Sequence, residues 1–238
     1  MRLDVFFTPA ELPATLNDRT VVVIDVLRAT STMVEALANG AKNIFAVATT
    51  DEAVKIAQGI GRDETLLAGE RNCVRIEGFD LGNSPLEMTP EKVGGRQLIM
   101  TTTNGTAALA AATSARRVLV ASLLNVDAVA RELAQGDEEI TLLCAGREKR
   151  FALEDAICAG TLALRLYKQL GQRRNWSDAA LAAAQLARRY LPSVERTLRR
   201  VAAGRQLLEL GFTTDVAFCA QLSVHDIVPK YRDRQVAL

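Results

Sequence analysis

The sequence contains a single histidine, His225, and four cysteines that stand far apart in the chain. One histidine excludes a metal site built from several imidazoles, and the absence of any Cys-x-x-Cys pair excludes the usual structural zinc sites. Widely spaced cysteines are typical of reduced thiols, so we expect no disulfides. Aromatic residues make up only 5% of the chain, which leaves few rings on which nucleic-acid bases could stack.

Neither sign of charge is in excess, because 29 basic and 28 acidic residues give a formal net charge of +1. This balance provides no general attraction for nucleic acid or for a membrane surface. The N-terminal segment has no apolar signal core, and no apolar run is long enough to span a bilayer. We therefore expect a soluble cytoplasmic protein that binds neither nucleic acid nor membranes.

The 238 residues, of which 49% are hydrophobic, suffice for a large core. Short apolar runs predict strands at 3–7, 21–27, 43–47, 65–68, 97–101, 118–121 and 140–144. Helical patterns alternate with these runs, which predicts a three-layer α/β/α sandwich with a largely parallel or mixed sheet. Beyond Gly171 the pattern predicts helices at 177–190, 193–210 and 213–222, and then a tail containing Pro229. We interpret residues 1–238 as a single domain; a subdivision near 171 into an α/β core and C-terminal helices is the alternative.

Two parts of the chain resemble each other at an offset of 74 residues. Thr32 corresponds to Thr106, and Asp51 corresponds to Asn125 at two predicted helix starts. The shared residues are few and mostly alanine. The pattern therefore suggests an internal duplication.

Residues 21–40 are the most informative stretch, because an apolar strand leads there into a polar turn and a helix. The turn carries an acid, a base and three hydroxyl groups, at Asp25, Arg28, Thr30, Ser31 and Thr32. A helix N-terminus binds anions well, since its N–H groups are unpaired and carry a partial positive charge. A carboxylate on a buried strand is costly unless it is paired or bound to a metal. Asp25 is therefore the strongest single candidate; the alternatives are that it pairs with Arg28, and that Arg28 is a solvated surface residue.

Thr102–Thr106, with the sequence TTNGT, forms a second candidate anion site at a strand end. Gly105 is expected to permit a turn with positive φ, so that hydroxyl and N–H groups could face one ligand. No Gly-Lys-Ser/Thr follows, so this segment is not a Walker A loop. The alternative is an ordinary capped helix start.

Several carboxylates are expected to converge, because ligands bind at the carboxyl ends of strands in open parallel sheets. The candidates are Asp25, Glu70, Asp80, Glu154 and Asp155. The segments 122–125 and 144–150 also follow strands. Carboxylate oxygens suit a hard cation such as Mg²⁺, which typically takes one or two of them together with waters and phosphate. The alternatives are an Asx turn at Asp80 and first-turn helix charges at Glu154 and Asp155.

The chain resembles the 2-phosphosulfolactate phosphatase family over nearly its whole length. The segments that carry the resemblance are DVLRATST (25–32), ALANGA (36–41), AGE (68–70), GFDLGNSPLE (78–87), TTTNGTAAL (101–109), CAG (144–146), FALEDAICAG (151–160) and GFTTDVAFCAQLSVHDIVPKY (211–231). The resemblance implies a three-layer α/β fold and Mg²⁺-dependent hydrolysis of (2R)-2-phospho-3-sulfolactate, a step of coenzyme M biosynthesis. Polar residues standing in the shared segments are Asp25, Arg28, Glu70, Asp80, Asn83, Ser84, Thr103, Asn104, Glu154 and Asp155.

We assign roles within this resemblance by physical reasoning. Asp25 would bind Mg²⁺, with Glu70, Asp155 and Glu154 as further or water-mediated ligands. The anionic substrate would be held by Arg28 and Thr30–Thr32, by Thr103, Asn104, Gly105 and Thr106 from the opposite turn, and by Asn83 and Ser84. A metal-bound water is the preferred nucleophile. Attack by Asp25 itself is the alternative, although Leu27 replaces the second aspartate of the Asp-x-Asp pattern of haloacid dehalogenase phosphatases.

Arg147–Arg150 is more highly charged than the Gly-rich loop that the resemblance leads us to expect there. This loop would border the site, so a different phosphorylated hydroxy acid is an alternative substrate. A non-catalytic anion-binding module is the alternative from another functional class. The basic stretches 172–174 and Arg188–Arg189 are most simply a solvated helix face, and exposed helix faces near Trp176 permit a homo-oligomer.

Overall fold

The computed structural model describes residues 2–136, 139–171 and 175–238. Its strands are β1 (Leu3–Phe6), β2 (Arg19–Ile24), β3 (Asn43–Ala46), β4 (Thr65–Arg71), β5 (Val74–Arg75), β6 (Gln97–Thr101), β7 (Arg117–Ala121), β8 (Glu139–Cys144), β9 (Lys230–Arg232) and β10 (Gln235–Ala237). Its α-helices are α1 (Ala29–Ala38), α2 (Thr50–Ile60), α3 (Pro90–Val93), α4 (Gly105–Ala111), α5 (Val126–Ala134), α6 (Leu153–Leu170), α7 (Asp178–Tyr190), α8 (Val194–Leu198), α9 (Ala202–Glu209) and α10 (Thr213–Cys219). The predicted solvated stretch 172–174 lies outside the described residues.

The strands of the described ranges form one mixed sheet in the order β1-β8-β2-β7-β9-β10-β3-β6-β4-β5. Neighbours among β1, β8, β2 and β7 are parallel, and so are neighbours among β3, β6 and β4. β9 and β10 form an antiparallel hairpin that pairs with β7 on one side and with β3 on the other. The hairpin therefore joins two mainly parallel groups of strands.

The topology supports the predicted internal duplication. β2, α1, β3, α2 and β4 follow one another in the same order as β6, α4, β7, α5 and β8. The first strand of each series pairs with strands of the other series. β2 lies between β8 and β7, and β6 lies between β3 and β4. The pairing registers differ by three residues from the 74-residue offset: Asn43 pairs with Gln97, whereas Arg117, which corresponds to Asn43, pairs with Thr20 instead of Val23. The two halves thus exchange their first strands.

Helices cover both faces of the sheet. β2 is rich in valine, whose branched side chain favours strands, and successive residues point to opposite faces. Val22 and Ile24 pack in one cluster with α5, α6 and α7, whereas Val21 and Val23 pack in another with α1 and α4. The predicted α/β/α sandwich is confirmed. Among the described helices, none is long and apolar enough to cross a membrane.

The sheet curves strongly between its two groups. Five pairing steps separate β2 from β6, a distance of about 24 Å in a flat sheet. Yet a Cβ atom added to Gly105, after β6, would lie 2.4 Å from the Cβ atom of Ala29, after β2. The curvature therefore brings the carboxyl ends of β2 and β6 together around α1 and α4.

Three predicted helix boundaries are corrected. Helix α2 is capped by Thr49, whose hydroxyl accepts from the Glu52 N–H, and not by Asp51. The side chain of Asn125 accepts from the Ser122 N–H instead of capping α5. The helix predicted at 193–210 is broken into α8 and α9, because α9 folds back so closely that a Cβ atom on Gly204 would lie 1.7 Å from the carbonyl oxygen of residue 198.

The hairpin of β9 and β10 replaces the predicted C-terminal tail. Its strands have three residues each, too short for a periodic pattern to show. Its turn uses Asp233 and Arg234 with φ of 50° and 67°, without the glycine that usually signals such a turn. Tyr231 and Val236 are nevertheless buried in the same cluster as α1 and α4.

Candidate active site

A pocket of about 70 Å³ lies at the carboxyl ends of β2, β4, β6 and β8. The predicted convergence is confirmed for residues at or just beyond the ends of these four strands, including Asp25, Glu70, Asn104 and Arg147. Segment 122–125 is an exception, since its polar side chains cap a short helical turn after β7. The curvature of the sheet is what places residues of β2 and β6 in one pocket.

Asp25 lies in the pocket wall directly after β2. The Thr30 hydroxyl donates to the Asp25 carbonyl oxygen at 2.8 Å and accepts from the Asp25 N–H at 2.9 Å, which fixes the backbone. Oδ1 of Asp25 accepts from the Ala29 N–H at 3.4 Å. Burial raises the pKa of Asp25 to about 7; the Ala29 N–H opposes this shift, and the charges of Glu70 and Glu154 add to it. A cation in the pocket would relieve this repulsion.

Asp155 ties two strand ends together from the first turn of α6. Its Oδ1 accepts from the Val26 N–H at 2.8 Å, and its Oδ2 accepts from the Gly146 N–H at 3.1 Å. Burial raises the pKa of Asp155 well above its usual range, and the neighbouring carboxylate of Asp25 acts in the same direction. Asp155 is buried and lies in the first turn of α6, so its carboxylate links two strand ends in addition to standing at the helix N-terminus.

Glu70 makes a corresponding link on the other side of the pocket. Its Oε1 accepts from the Thr103 N–H and its Oε2 accepts from the Cys73 N–H, each at 2.8 Å. Glu70 is buried and stands near the end of β4. Its carboxylate therefore holds the turn after β6 against the loop after β4.

The carboxylates fit a Mg²⁺ ion that the substrate helps to coordinate. Within the described ranges, no three histidine, cysteine, aspartate or glutamate side chains converge closely enough to hold a metal ion by themselves. Mg²⁺ needs only one or two carboxylates when waters and substrate phosphate complete its shell. Asp25 and Glu154 are buried and line the pocket, and neither carboxylate spans two other segments as those of Glu70 and Asp155 do. Burial raises the pKa of Glu154, and the positive charge of Arg147 opposes this shift.

Arg28 lines the pocket, but its guanidinium is buried and paired with a residue that was not predicted. Nη1 donates to Oδ2 of Asp215 at 2.7 Å, and Nη2 donates to the Cys73 carbonyl oxygen at 2.9 Å. The Phe212 ring lies 4.4 Å from the guanidinium carbon. Oδ1 of Asp215 accepts from the Ser84 hydroxyl at 2.9 Å. Arg28 is thus neither solvated nor paired with the aspartate of its own turn.

Thr30, Ser31 and Thr32, predicted to hold the substrate, are fully buried. The Ser31 hydroxyl donates to the Val26 carbonyl oxygen, and the Thr32 hydroxyl donates to the Asn83 carbonyl oxygen, each at 2.9 Å. Because these hydroxyls donate to backbone carbonyls, they fix the turn and its contact with the 78–87 loop.

The second predicted anion turn faces Asp25 across the pocket. Thr103 and Asn104 line the pocket. Thr106 supports the turn, since its hydroxyl donates to the carbonyl oxygen of residue 102 at 2.9 Å. The prediction of a positive φ at Gly105 is wrong. Glycine is needed there for another reason: an added Cβ atom would lie 2.8 Å from Oδ2 of Asp25.

Asn83 and Asp80 come from the same loop but have different surroundings. Asn83 lines the pocket, and its buried side-chain oxygen has no hydrogen-bond partner among the described residues. An unpaired buried amide oxygen in a pocket wall suits a ligand. Asp80 pairs with Arg62 through both carboxylate oxygens, at 2.9 and 3.0 Å, and accepts from the Leu67 N–H. Asp80 therefore supports the loop.

Arg147 brings a positive charge to the pocket, and its loop borders the site as predicted. Its Nη2 donates to Oε1 of Gln206 at 2.9 Å, and the Glu148 N–H donates to Oδ1 of Asn104 at 3.3 Å. Gln206 and Ala203 come from α9, and the thiol-bearing Cys73 comes from the loop after Glu70. Sequence reasoning missed these residues and Asp215, because their spacing shows no motif; only the resemblance covered the segment that contains Asp215.

A sheet with helices on both faces and an acidic, arginine-bearing pocket at its strand ends is the arrangement of an α/β enzyme that acts on an anion. The family model described as 2-phosphosulpholactate phosphatase matches residues 6–234. The chain therefore belongs to the 2-phosphosulfolactate phosphatase family, a family of phosphoric monoester hydrolases. The resemblance found in the sequence is confirmed.

Curated relatives named probable 2-phosphosulfolactate phosphatase agree with this assignment. The protein from Symbiobacterium thermophilum is 43% identical over 225 residues, which cover 94% of this chain and 95% of that protein. The protein from Caldanaerobacter subterraneus subsp. tengcongensis is 42% identical over 220 residues, covering 92% and 90%. The protein from Clostridium beijerinckii is 32% identical over 237 residues, covering 99% of both chains.

Proposed function

We propose that this protein is a Mg²⁺-dependent phosphatase that hydrolyses (2R)-2-phospho-3-sulfolactate to 3-sulfolactate and phosphate, a step of the coenzyme M biosynthesis type. The observation that carries the proposal is one pocket that combines buried carboxylates with the guanidinium groups of Arg28 and Arg147. Carboxylates suit the cation and guanidinium groups suit the acidic groups of the substrate. The family and the names of its relatives agree with this chemistry.

Asp25 and Glu154 would hold the Mg²⁺ ion, with Glu70 and Asp155 as further or water-mediated ligands. When bound, the ion polarises the phosphoryl group and offsets the charge that develops on the leaving oxygen. Glu70 and Asp155 already accept two backbone N–H bonds each, so they also position the strand ends.

The substrate's acidic groups would be bound from both sides of the pocket. Asn104 accepts from Glu148 through Oδ1, which leaves its NH₂ group as a donor. Thr103 offers a hydroxyl donor beside it, whereas the unpaired amide oxygen of Asn83 is an acceptor, which would suit the cation. Arg147 reaches the pocket from the loop after β8. A substrate with phosphate, carboxylate and sulfonate groups needs several such donors.

Water is the nucleophile that the geometry favours over Asp25. Oδ2 of Asp25 lies so close to Gly105 that even one added methyl group would come within 2.8 Å of it. Oδ1 accepts from the Ala29 N–H. Oδ1 is thus held by its own turn, and Oδ2, beside a glycine that has no side chain, is left to bind the cation, so we assign the attack on phosphorus to a water.

The experiment that tests the proposal is phosphate release from racemic phosphosulfolactate by the purified protein, with Mg²⁺ and with chelator. We expect release with Mg²⁺ only, and a loss of roughly 100-fold or more in the Asp25→Asn variant. Asp51→Asn, an exposed change in α2, is the matched control and should keep full activity. Retained turnover with unimpaired Mg²⁺ dependence in Asp25→Asn would exclude both proposed roles of this residue.

A second candidate is a phosphatase for another phosphorylated hydroxy acid, because the charged Arg147–Arg150 loop borders the pocket. Phospholactate, assayed in parallel, separates the two candidates. Strong preference for phosphosulfolactate supports the named substrate, and equal release from both substrates rejects it. No release from either substrate would favour a non-catalytic anion-binding module.

A further inference from the structure

A second cavity, of about 530 Å³, opens beside the active-site pocket. The two share Arg147, Glu154 and Ala203 as lining residues. The cavity lies between the start of α6, the end of α7 and the region where α8 leads into α9. Four arginines line this cavity, which we call the arginine chamber: Arg147, Arg189, Arg200 and Arg205.

Positive charge in the arginine chamber is poorly balanced. Glu154, shared with the pocket, is the one carboxylate among its described lining residues. In the part of the chain that the structure describes, the contacts of Arg189 and Arg205 are with neutral groups: Arg189 lies 5.7 Å from the Tyr190 ring centre, and Arg205 donates to the Arg200 carbonyl oxygen. Like charges around one cavity repel one another, and a bound anion would offset this repulsion.

Arg147 stands at the boundary between chamber and pocket in a tightly closed loop. The Arg147 N–H donates to the Arg150 carbonyl oxygen at 2.9 Å, and the Arg150 N–H donates back at 2.8 Å. The hydrogen bond to Gln206 fixes the guanidinium against α9. An anion in the chamber and a substrate in the pocket would therefore lie on two sides of the same arginine.

We propose that the arginine chamber is a second anion-binding subsite, which takes a tetrahedral oxyanion of the sulfonate or phosphate type. Guanidinium groups match the oxygens of such an anion with paired N–H donors. The oxyanion is either the sulfonate of a substrate whose phosphate occupies the pocket or a free phosphate ion. Only the first of these sources rests on the proposed function.

The test compares a double variant of the chamber with a matched control. Arg189→Gln/Arg200→Gln removes two chamber arginines. Arg188→Gln/Arg196→Gln makes the same change in net charge at exposed residues outside the chamber, Arg188 next to Arg189 on α7 and Arg196 on α8, shortly before Arg200. Calorimetric titration with inorganic sulfate in low-salt buffer should show the same affinity for wild type and control, and an affinity about tenfold weaker for the chamber variant. Equal affinity in all three proteins, or no sulfate binding by the wild type, would overturn the proposal.

Kinetics then distinguish the two sources of the oxyanion. If the chamber holds the substrate's sulfonate, the chamber variant should raise the KM for phosphosulfolactate about tenfold and leave that for phospholactate unchanged. If it holds free phosphate, both KM values stay unchanged and product inhibition by phosphate weakens about tenfold. The titration needs no turnover, so sulfate binding that depends on Arg189 and Arg200 in a protein without phosphatase activity would support the subsite and reject the proposed function.

Discussion

Buried polar residues around the pocket act in pairs that the sequence cannot show. Asp25 was identified because a carboxylate beside an apolar strand needs a partner, and the structure confirms that it is buried in the pocket wall. The partner of Arg28, however, is Asp215, 187 positions away, and Asp155 binds the Val26 N–H across 129 positions. Residue type and local spacing therefore reveal the candidates, whereas the partners depend on how distant segments pack.

At the level of single residues, Asp25 gives a prediction for how the stability of the fold depends on pH. In the metal-free protein its pKa is raised from 3.8 to about 7, so the folded state retains a proton that the unfolded state has lost between these values. The contribution of Asp25 to stability therefore falls as pH rises from about 4 to about 7, by up to roughly 4 kcal/mol. Asp25→Asn removes this ionisation. We expect the variant to unfold at a higher temperature than wild type at pH 8 in chelator, even though its activity should be reduced.

Thermal unfolding at pH 4 and at pH 8 checks this expectation. The advantage of Asp25→Asn should be largest at pH 8 and should shrink toward pH 4, where the wild-type carboxyl is protonated in the folded protein. Added Mg²⁺ should stabilise the wild type more than the variant. A variant that is less stable than wild type at pH 8 would contradict a strained, uncompensated carboxylate at this position.

Helices and strands are where the sequence was most informative. Helix α7 lies within one residue of its predicted bounds, and the seven predicted strands are present within a few residues, because long periodic patterns and apolar runs reflect burial directly. The break between α8 and α9 and the short hairpin strands were missed. Those features depend on Gly204 packing against the carbonyl of residue 198 and on burial of Tyr231 and Val236, which are tertiary contacts.

At the level of helices and strands, the start of α4 gives a prediction. A methyl group at Gly105 would meet the Ala29 side chain at 2.4 Å and Oδ2 of Asp25 at 2.8 Å, so α1 and α4 would have to separate. We expect Gly105→Ala to lower kcat/KM by roughly 100-fold and to destabilise the fold by about 1–3 kcal/mol. Phosphate release and denaturant unfolding measure the two effects.

Gly59→Ala is the matched control for this substitution. Gly59 lies within α2, where an added Cβ atom would meet nothing within 4 Å. This variant should keep full activity and gain about 0.5–1 kcal/mol, since alanine favours a helix more than glycine does. Wild-type activity in Gly105→Ala would show that the contact between the two helix starts tolerates movement.

The order of strands across the whole molecule could not be predicted from the sequence. The alternation of strands and helices indicates an α/β sandwich, but it does not reveal that β2 and β6 are exchanged between the halves. Nor does it reveal the curvature that forms the pocket. Both depend on pairings between distant strands, for which local sequence carries no signal. Whether residues 1–238 form one domain, and whether the protein forms a homo-oligomer, stay predictions.

The hairpin of β9 and β10 is the backbone link between the two groups of strands in the described sheet, so its loss should affect the whole fold. Val236 is fully buried beside Ile44 of β3. Val236→Asp places an unpaired carboxylate there and should cost more than about 4 kcal/mol. Ala237→Asp, on the half-exposed side of the same strand, is the control and should change stability little. Circular dichroism during thermal unfolding checks both; near-native stability of Val236→Asp would show that the sheet does not depend on the hairpin.

The exchanged strands also constrain how the chain folds during its synthesis on the ribosome. β2 pairs with β7 and β8, which are synthesised long after it. The backbone hydrogen-bonding groups of this valine-rich strand therefore stay unpaired until those strands have been synthesised. The strands that close the gap between the two groups come later still. Contacts so distant in sequence slow folding and leave apolar edges open to other nascent chains. Yield from the cell should therefore respond to translation speed and to chaperone supply more than the stability of the finished protein would suggest.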